Sequence, residues 1–133
     1  MSIDDFLGKW SLLSSEGFDD YMKALGVNMA MRKMGTVVKP DVYISKDGDT
    51  ITIKTESTFK SSQFSFKLGE KCEENTVDGR KVQTLVTLNG NALTQLQQWD
   101  GKESTIVRKI DDGNLVVECE MNGCKCRRVY HKA

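Results

Sequence analysis

One proline and one histidine stand in 133 residues, the formal net charge is zero, and no apolar run approaches membrane-spanning length. Each scarcity removes a class of function. With His131 near the chain end there is no Ser-His-acid set, no metal-ligand spacing and no phosphate-cradling glycine motif, so no enzyme is expected. Paired acids fall at turns and on faces that read as exposed, and no base is expected to face an interior. Nineteen Lys and Arg balance nineteen Asp and Glu, so gross charge does not point to nucleic acid. The start, MSIDDFLGKW, lacks an apolar leader segment, and the four cysteines then read as thiols of a reducing compartment. A soluble, cytoplasmic chain is expected, forming a single domain over residues 1–133. That length holds either a solid core or an enclosed cavity, but not both in quantity.

What is present is a series of turns. Asp47-Gly48, Asp78-Gly79, Asn89-Gly90, Asp100-Gly101, Asp112-Gly113 and Asn122-Gly123 recur about every ten residues, with weaker breaks at Glu56-Ser57 and Leu68-Gly69. They delimit ten strands: 5–14, 40–46, 50–56, 59–66, 71–75, 80–88, 92–99, 104–110, 115–121 and 124–131. The spacing predicts an all-β meander, sandwich or barrel. Alternation turns Ile51, Ile53, Phe64, Phe66, Val82, Val86 and Leu88 inward, and with them Thr84, Gln95 and Gln97. That lining is too polar for a dry core, and ordered water is the expected partner of its amides.

The last hairpin carries the functional clue. A two-residue turn at Asn122-Gly123 pairs Met121 with Cys124, Glu120 with Lys125, Cys119 with Cys126 and Glu118 with Arg127. The charged pairs share the solvent face. On the other face, Arg128 stands opposite Val117 among Leu115, Cys119, Met121, Cys124, Cys126 and Tyr130. If residues 111–114 form the preceding loop, Arg108 also pairs with Val117. Two arginines then lie level, roughly 10 Å apart at the backbone, within joint reach of one carboxylate, with the Tyr130 hydroxyl as a third donor. A one-residue slip would instead turn Arg108 outward. A wet cavity holding inward arginines reads as a container for an amphipathic anion.

Between the first two strands the period becomes helical. Phe18, Tyr21, Met22 and Leu25 share one face, ahead of Gly26 at the C′ position. A second short helix is expected over Asn28–Met34, closed by Gly35. Together they make a lid over about residues 17–35.

Gly8-Lys9-Trp10, Gly17-Phe18-Asp19-Asp20-Tyr21-Met22, Leu25-Gly26-Val27, Arg32-Lys33, Thr55-Glu56-Ser57-Thr58-Phe59-Lys60, Phe66-Lys67-Leu68-Gly69, Asp78-Gly79-Arg80-Lys81 and Trp99-Asp100-Gly101-Lys102 together resemble the intracellular fatty acid-binding proteins, from Phe6 to the C-terminus. The resemblance is closest to the epidermal, adipocyte and myelin group. It departs at Cys72 and Cys124, where bulkier or non-cysteine residues are expected, and at Arg127 and His131. It implies a ten-stranded antiparallel up-and-down β-barrel, or clamshell, of the lipocalin-like superfamily, with a two-helix lid after the first strand. It also implies a carrier of one long-chain fatty acid between membranes, enzymes and the nucleus, with a retinoid carrier or a membrane-stacking protein as alternatives. Arg108, Arg128 and Tyr130 match the carboxylate site. Phe18, Tyr21, Met22 and Phe59 match the portal, and Thr55, Gln95, Gln97 and Val117 are assigned to the cavity. Lys23, Arg32 and Lys33 match a basic patch for nuclear import or contact with anionic membranes, against the plainer reading of a solvated helix face. A monomer is expected, with a nuclear receptor or a lipid enzyme as candidate partner and no nucleic acid, cofactor or metal. Cys119, Cys124 and Cys126 lack tetrahedral spacing for zinc. Cys119 and Cys126, directly opposed, lie close enough for a disulfide, although a cytosolic pair is normally reduced.

Overall fold

The computed structural model describes residues 3–58, 60–76 and 78–133. Ten strands run in order as β1 (Gly8–Glu16), β2 (Asp41–Asp47), β3 (Thr50–Glu56), β4 (Ser61–Lys67), β5 (Cys72–Asn75), β6 (Lys81–Asn89), β7 (Ala92–Trp99), β8 (Lys102–Asp111), β9 (Asn114–Met121) and β10 (Cys124–Lys132). Helices α1 (Phe18–Ala24) and α2 (Met29–Val37) lie between β1 and β2. Sequence neighbours other than β4 and β5 pair antiparallel, and β1 also pairs with β10, giving the order β4-β3-β2-β1-β10-β9-β8-β7-β6-β5. The sheet curls into a nearly closed barrel whose unpaired edges are β4 and β5.

The turns act as their residues require. Asp100, Asp112 and Asn122 have φ of 47°, 55° and 50°, and the glycine after each is also positive, the backbone of a type I′ turn. The loop expected over 111–114 is tighter than that. Asp111 pairs with Asn114, so Asp112-Gly113 alone makes the turn and the ladder gains a rung. The expected register is unchanged: Ile110 faces Leu115, Arg108 faces Val117, and Val117 faces Arg128.

Two elements differ from the sequence reading. The first strand does not begin at residue 5, because Ile3–Phe6 form a 3-10 turn that tucks Phe6 fully inside. The Phe6 carbonyl accepts from Trp10 Nε1 at 2.9 Å, which anchors the buried indole. β1 then continues past Leu13, where its register with β10 slips by one residue. That bulge leaves Leu13 on the surface and places Ser15 opposite Arg128. Nor does Gly35 close the second helix, which starts at an Asn28 cap and runs to Val37. A Cβ on Gly35 would stand 2.9 Å from Met22 Sδ, so this glycine allows α2 to approach α1. The chain leaves the helix through extended Val38, ahead of Pro40.

Candidate ligand cavity

The inner faces of the strands and the underside of the helices enclose a cavity of about 270 Å³. A wider hollow of about 620 Å³ lies outside, against Glu16, Glu118, Glu120, Lys125 and Arg127. Its charges are open to water and screened, whereas the interior holds buried charge beside apolar walls.

Arg128 is buried, and its partners among the described residues are neutral. Its Nε donates to the Tyr130 hydroxyl at 3.3 Å and its Nη1 to Ser15 Oγ at 3.1 Å. The guanidinium lies 3.9 Å from the centre of the Phe18 ring, so the lid helix covers one of its faces. Arg108, level with it across Val117, points into the same space and donates from Nη1 to Gln95 Oε1 at 2.7 Å. Burial pulls its proton affinity down, while Cys119 and Glu74 oppose that pull. Its side chain is part-buried and lines the cavity.

The polar interior is wired by side chains. Gln95 Nε2 donates to Thr84 Oγ1 at 3.1 Å and to Glu74 Oε1 at 2.8 Å, and Gln97 Nε2 donates to the same carboxylate oxygen at 3.0 Å. These amides therefore do not depend on ordered water for partners. Glu74 itself corrects the expectation that no base faces the interior. Cys72 pairs with Thr84 and Glu74 with Val82, so the inward face of β6 carries Glu74 inward with it. Burial pushes the Glu74 carboxyl up, against the Gln97 hydrogen bond and the Arg108 and Arg80 charges. Asp78 and Arg80 join the lining from the following turn, bound at 2.6 and 3.1 Å, with Arg80 lying 4.5 Å over Trp99. Burial raises the Asp78 carboxyl, yet the hydrogen bonds from Arg80 and Thr76 outweigh it and hold it below its ordinary value. Short β5 and the five residues of chain between it and β6 hid these groups from pattern reading. The signal was the inward Val82 and Thr84, carried across one rung.

The remaining expected residues divide. Phe18, Tyr21, Met22, Thr55, Gln97 and Val117 line the cavity, and Gln95 is buried behind Arg108. Tyr21 is also tied into the barrel, its hydroxyl 2.5 Å from Ser104 Oγ on β8. Burial holds the phenol well above its ordinary range. Phe59 lies outside the described residues. Lys23 and Lys33 are exposed, but half-buried Arg32 is engaged by Asp19 at 3.2 Å and by the Val27 carbonyl at 2.8 Å. Cys119 and Cys126 face each other as free thiols. The hydrogen bond between them, together with burial, pushes Cys119 up, and the same bond lowers Cys126 despite burial.

A model of the lipocalin / cytosolic fatty-acid binding protein family matches residues 7–133. The chain belongs to this family. Among its fatty-acid binding relatives, fatty acid-binding protein 5 of Pygoscelis papua is 73% identical over 134 residues, covering the whole of both chains. Fatty acid-binding protein 5 of Homo sapiens is 57% identical over 131 residues, 98% of this chain and 97% of the relative. Among solved structures, the Schistosoma mansoni fatty acid binding protein in complex with arachidonic acid superposes with a TM-score of 0.95. It is 39% identical and covers 100% of this chain and 99% of that one. The barrel with two helices after β1 is thus the architecture of the family, as the resemblance implied.

Proposed function

We propose that the chain reversibly binds one long-chain fatty acid, its carboxylate at Arg128 and Tyr130 and its hydrocarbon among Phe18, Met22, Ile53, Phe64 and Ile106. The observation that carries this reading is Arg128. A guanidinium held inside a protein with only neutral partners is a standing desolvation cost, and an anion arriving in the cavity removes it. Each buried CH₂ adds roughly 0.8 kcal/mol, so the tail supplies most of the affinity and the headgroup the selection. The names of the relatives and the arachidonic acid complex support the ligand class. The proposed role is carriage between membranes and acceptor proteins in the cytoplasm and nucleus, by a monomer that performs no reaction on its cargo. On the same reading a Cys119–Cys126 disulfide is an oxidation product and not a folding requirement.

Calorimetric titration of delipidated, folded protein with oleate tests the proposal. One site is expected, with affinity between roughly micromolar and nanomolar. Heat of dilution alone would refute it. Retinoic acid in competition with oleate separates the retinoid alternative, and vesicle clustering by the protein would mark the membrane-stacking one.

A further inference from the structure

Three guanidinium groups line the cavity, and they are not equivalent. Arg80 is neutralised by two bonds to Asp78 in its own turn. Arg108 reaches its acid through a relay, with Nη1 bonded to Gln95 Oε1 at 2.7 Å and Gln95 Nε2 bonded to Glu74 Oε1 at 2.8 Å. A hydrogen-bonded chain in a low-dielectric interior polarises along its length, so the amide couples the two charges. Arg128 meets a hydroxyl from Tyr130, a hydroxyl from Ser15 and the ring of Phe18. Lys60 also borders the cavity but is exposed at its mouth. Inside, among the described residues, three cations and two carboxylates leave one positive charge, located at Arg128.

We propose that Glu74 sets the headgroup charge the cavity accepts: by compensating Arg108 through Gln95, it leaves room for a singly charged anionic amphiphile and disfavours a doubly charged one. The inference rests on the reading of Arg128 as the carboxylate anchor. With a carboxylate seated, the interior charge sums to zero. A dianionic headgroup, such as an alkyl phosphate above its second ionisation near pH 6, would leave a surplus negative charge facing Glu74 at low dielectric. Without the Glu74 charge, Arg108 and Arg128 become two uncompensated cations level across Val117, a site suited to a dianion. The groups facing Glu74 are Gln95 and Gln97 from β7, Arg108 from β8, Arg80 beside β6, and Cys72 on its own strand. Burial already pushes Glu74 up against this set.

The test compares laurate, dodecyl phosphate and dodecanol at about pH 8, where the phosphate is dianionic, on the unaltered chain, Glu74→Gln and Glu74→Asp. The unaltered chain should prefer laurate to dodecyl phosphate. Glu74→Gln should shift that ratio toward the phosphate about tenfold, the scale of one hydrogen bond to a charged group, and leave dodecanol unchanged. Glu74→Asp should keep the original preference. An unshifted ratio in Glu74→Gln, or a dodecanol affinity that moves as far as that of the phosphate, would overturn the proposal. Laurate binding by the unaltered chain with an unshifted ratio removes only the role of Glu74, whereas failure of that chain to bind laurate or oleate removes the fatty-acid reading itself. If Glu74→Gln does not fold, the unaltered chain still decides the question. Its preference for laurate over dodecyl phosphate should narrow as pH falls from about 8 to about 5, where the phosphate becomes a monoanion. A preference that does not move between those pH values would overturn the proposal.

Discussion

At the scale of single residues, the cavity is a balance of buried charges, and each member has a distinct predicted signature. Asp78→Asn strips Arg80 of its acid and should destabilise the fold by about 1–3 kcal/mol, the scale of losing a hydrogen bond between charged groups, read from denaturant unfolding at neutral pH. The two acids should act oppositely on pH-dependent stability. Asp78, held below its ordinary value, stabilises the fold above its unfolded-state pKa and loses that contribution as pH falls through the folded one. Glu74, held above its ordinary value, stabilises the fold below its unfolded-state pKa and loses that contribution as pH rises through the folded one. Ligand-free Glu74→Gln should therefore equal or exceed the unaltered chain in stability at neutral pH, and the two should converge in acid. Tyr130→Phe should weaken oleate by about 1 kcal/mol, since a neutral hydroxyl is lost and no buried charge is stranded. Arg108, Arg128 and Tyr130 were legible because Asn122-Gly123 and Asp112-Gly113 each fix a register, and a fixed register turns every later residue in or out. Glu74 was not legible. Its strand has four residues, and Asp78-Gly79 lies in a five-residue connection, which does not fix where the strand pairs.

At the scale of elements, the two helices are held unequally. α1 follows Gly17, which sits at φ 72° with its Cα so close to β10 that a Cβ would stand 2.3 Å from the Lys125 carbonyl oxygen. Gly17→Ala meets both the backbone penalty and that collision, and should destabilise by more than about 1 kcal/mol, seen as a lower unfolding midpoint. α1 is then tied inward by Phe18 over Arg128 and by Tyr21 against Ser104. α2 has no buried residue and leaves Met29, Met34 and Val37 on the surface beside exposed Lys33. Native-state hydrogen exchange should find α2 the less protected helix, with both less protected than the β9–β10 hairpin. If α2 proves as protected as that hairpin, it does not open for ligand passage. The helical period itself was plain in the sequence, since Phe18, Tyr21, Met22 and Leu25 recur on one face. The end of α2 was misjudged because a glycine that permits close packing looks like a glycine that stops a helix.

At the scale of the whole molecule, the barrel follows from repetition. Asp-Gly and Asn-Gly turns about ten residues apart dictate sequential antiparallel pairing, and the β1–β10 ladder closes it. What repetition could not supply is the interior. Whether inward polar residues meet water or one another depends on which rungs align, and here Thr84, Gln95, Gln97 and Glu74 form one connected set. The ligand is expected to complete the structure electrically as well as by filling volume. Saturating oleate should raise the unfolding midpoint, with about 2.7 kcal/mol gained at a hundredfold excess over Kd.

The central claim is that Arg128 reads the carboxylate of a fatty acid held in this cavity. It is tested most directly by titrating oleate and methyl oleate into the unaltered chain and into Arg128→Gln. The account predicts that the acid loses about ten- to a hundredfold in affinity, the worth of a charge-assisted hydrogen bond, while the ester loses much less. Equal losses for acid and ester would contradict it, since Arg128 would then support the barrel without recognising the headgroup.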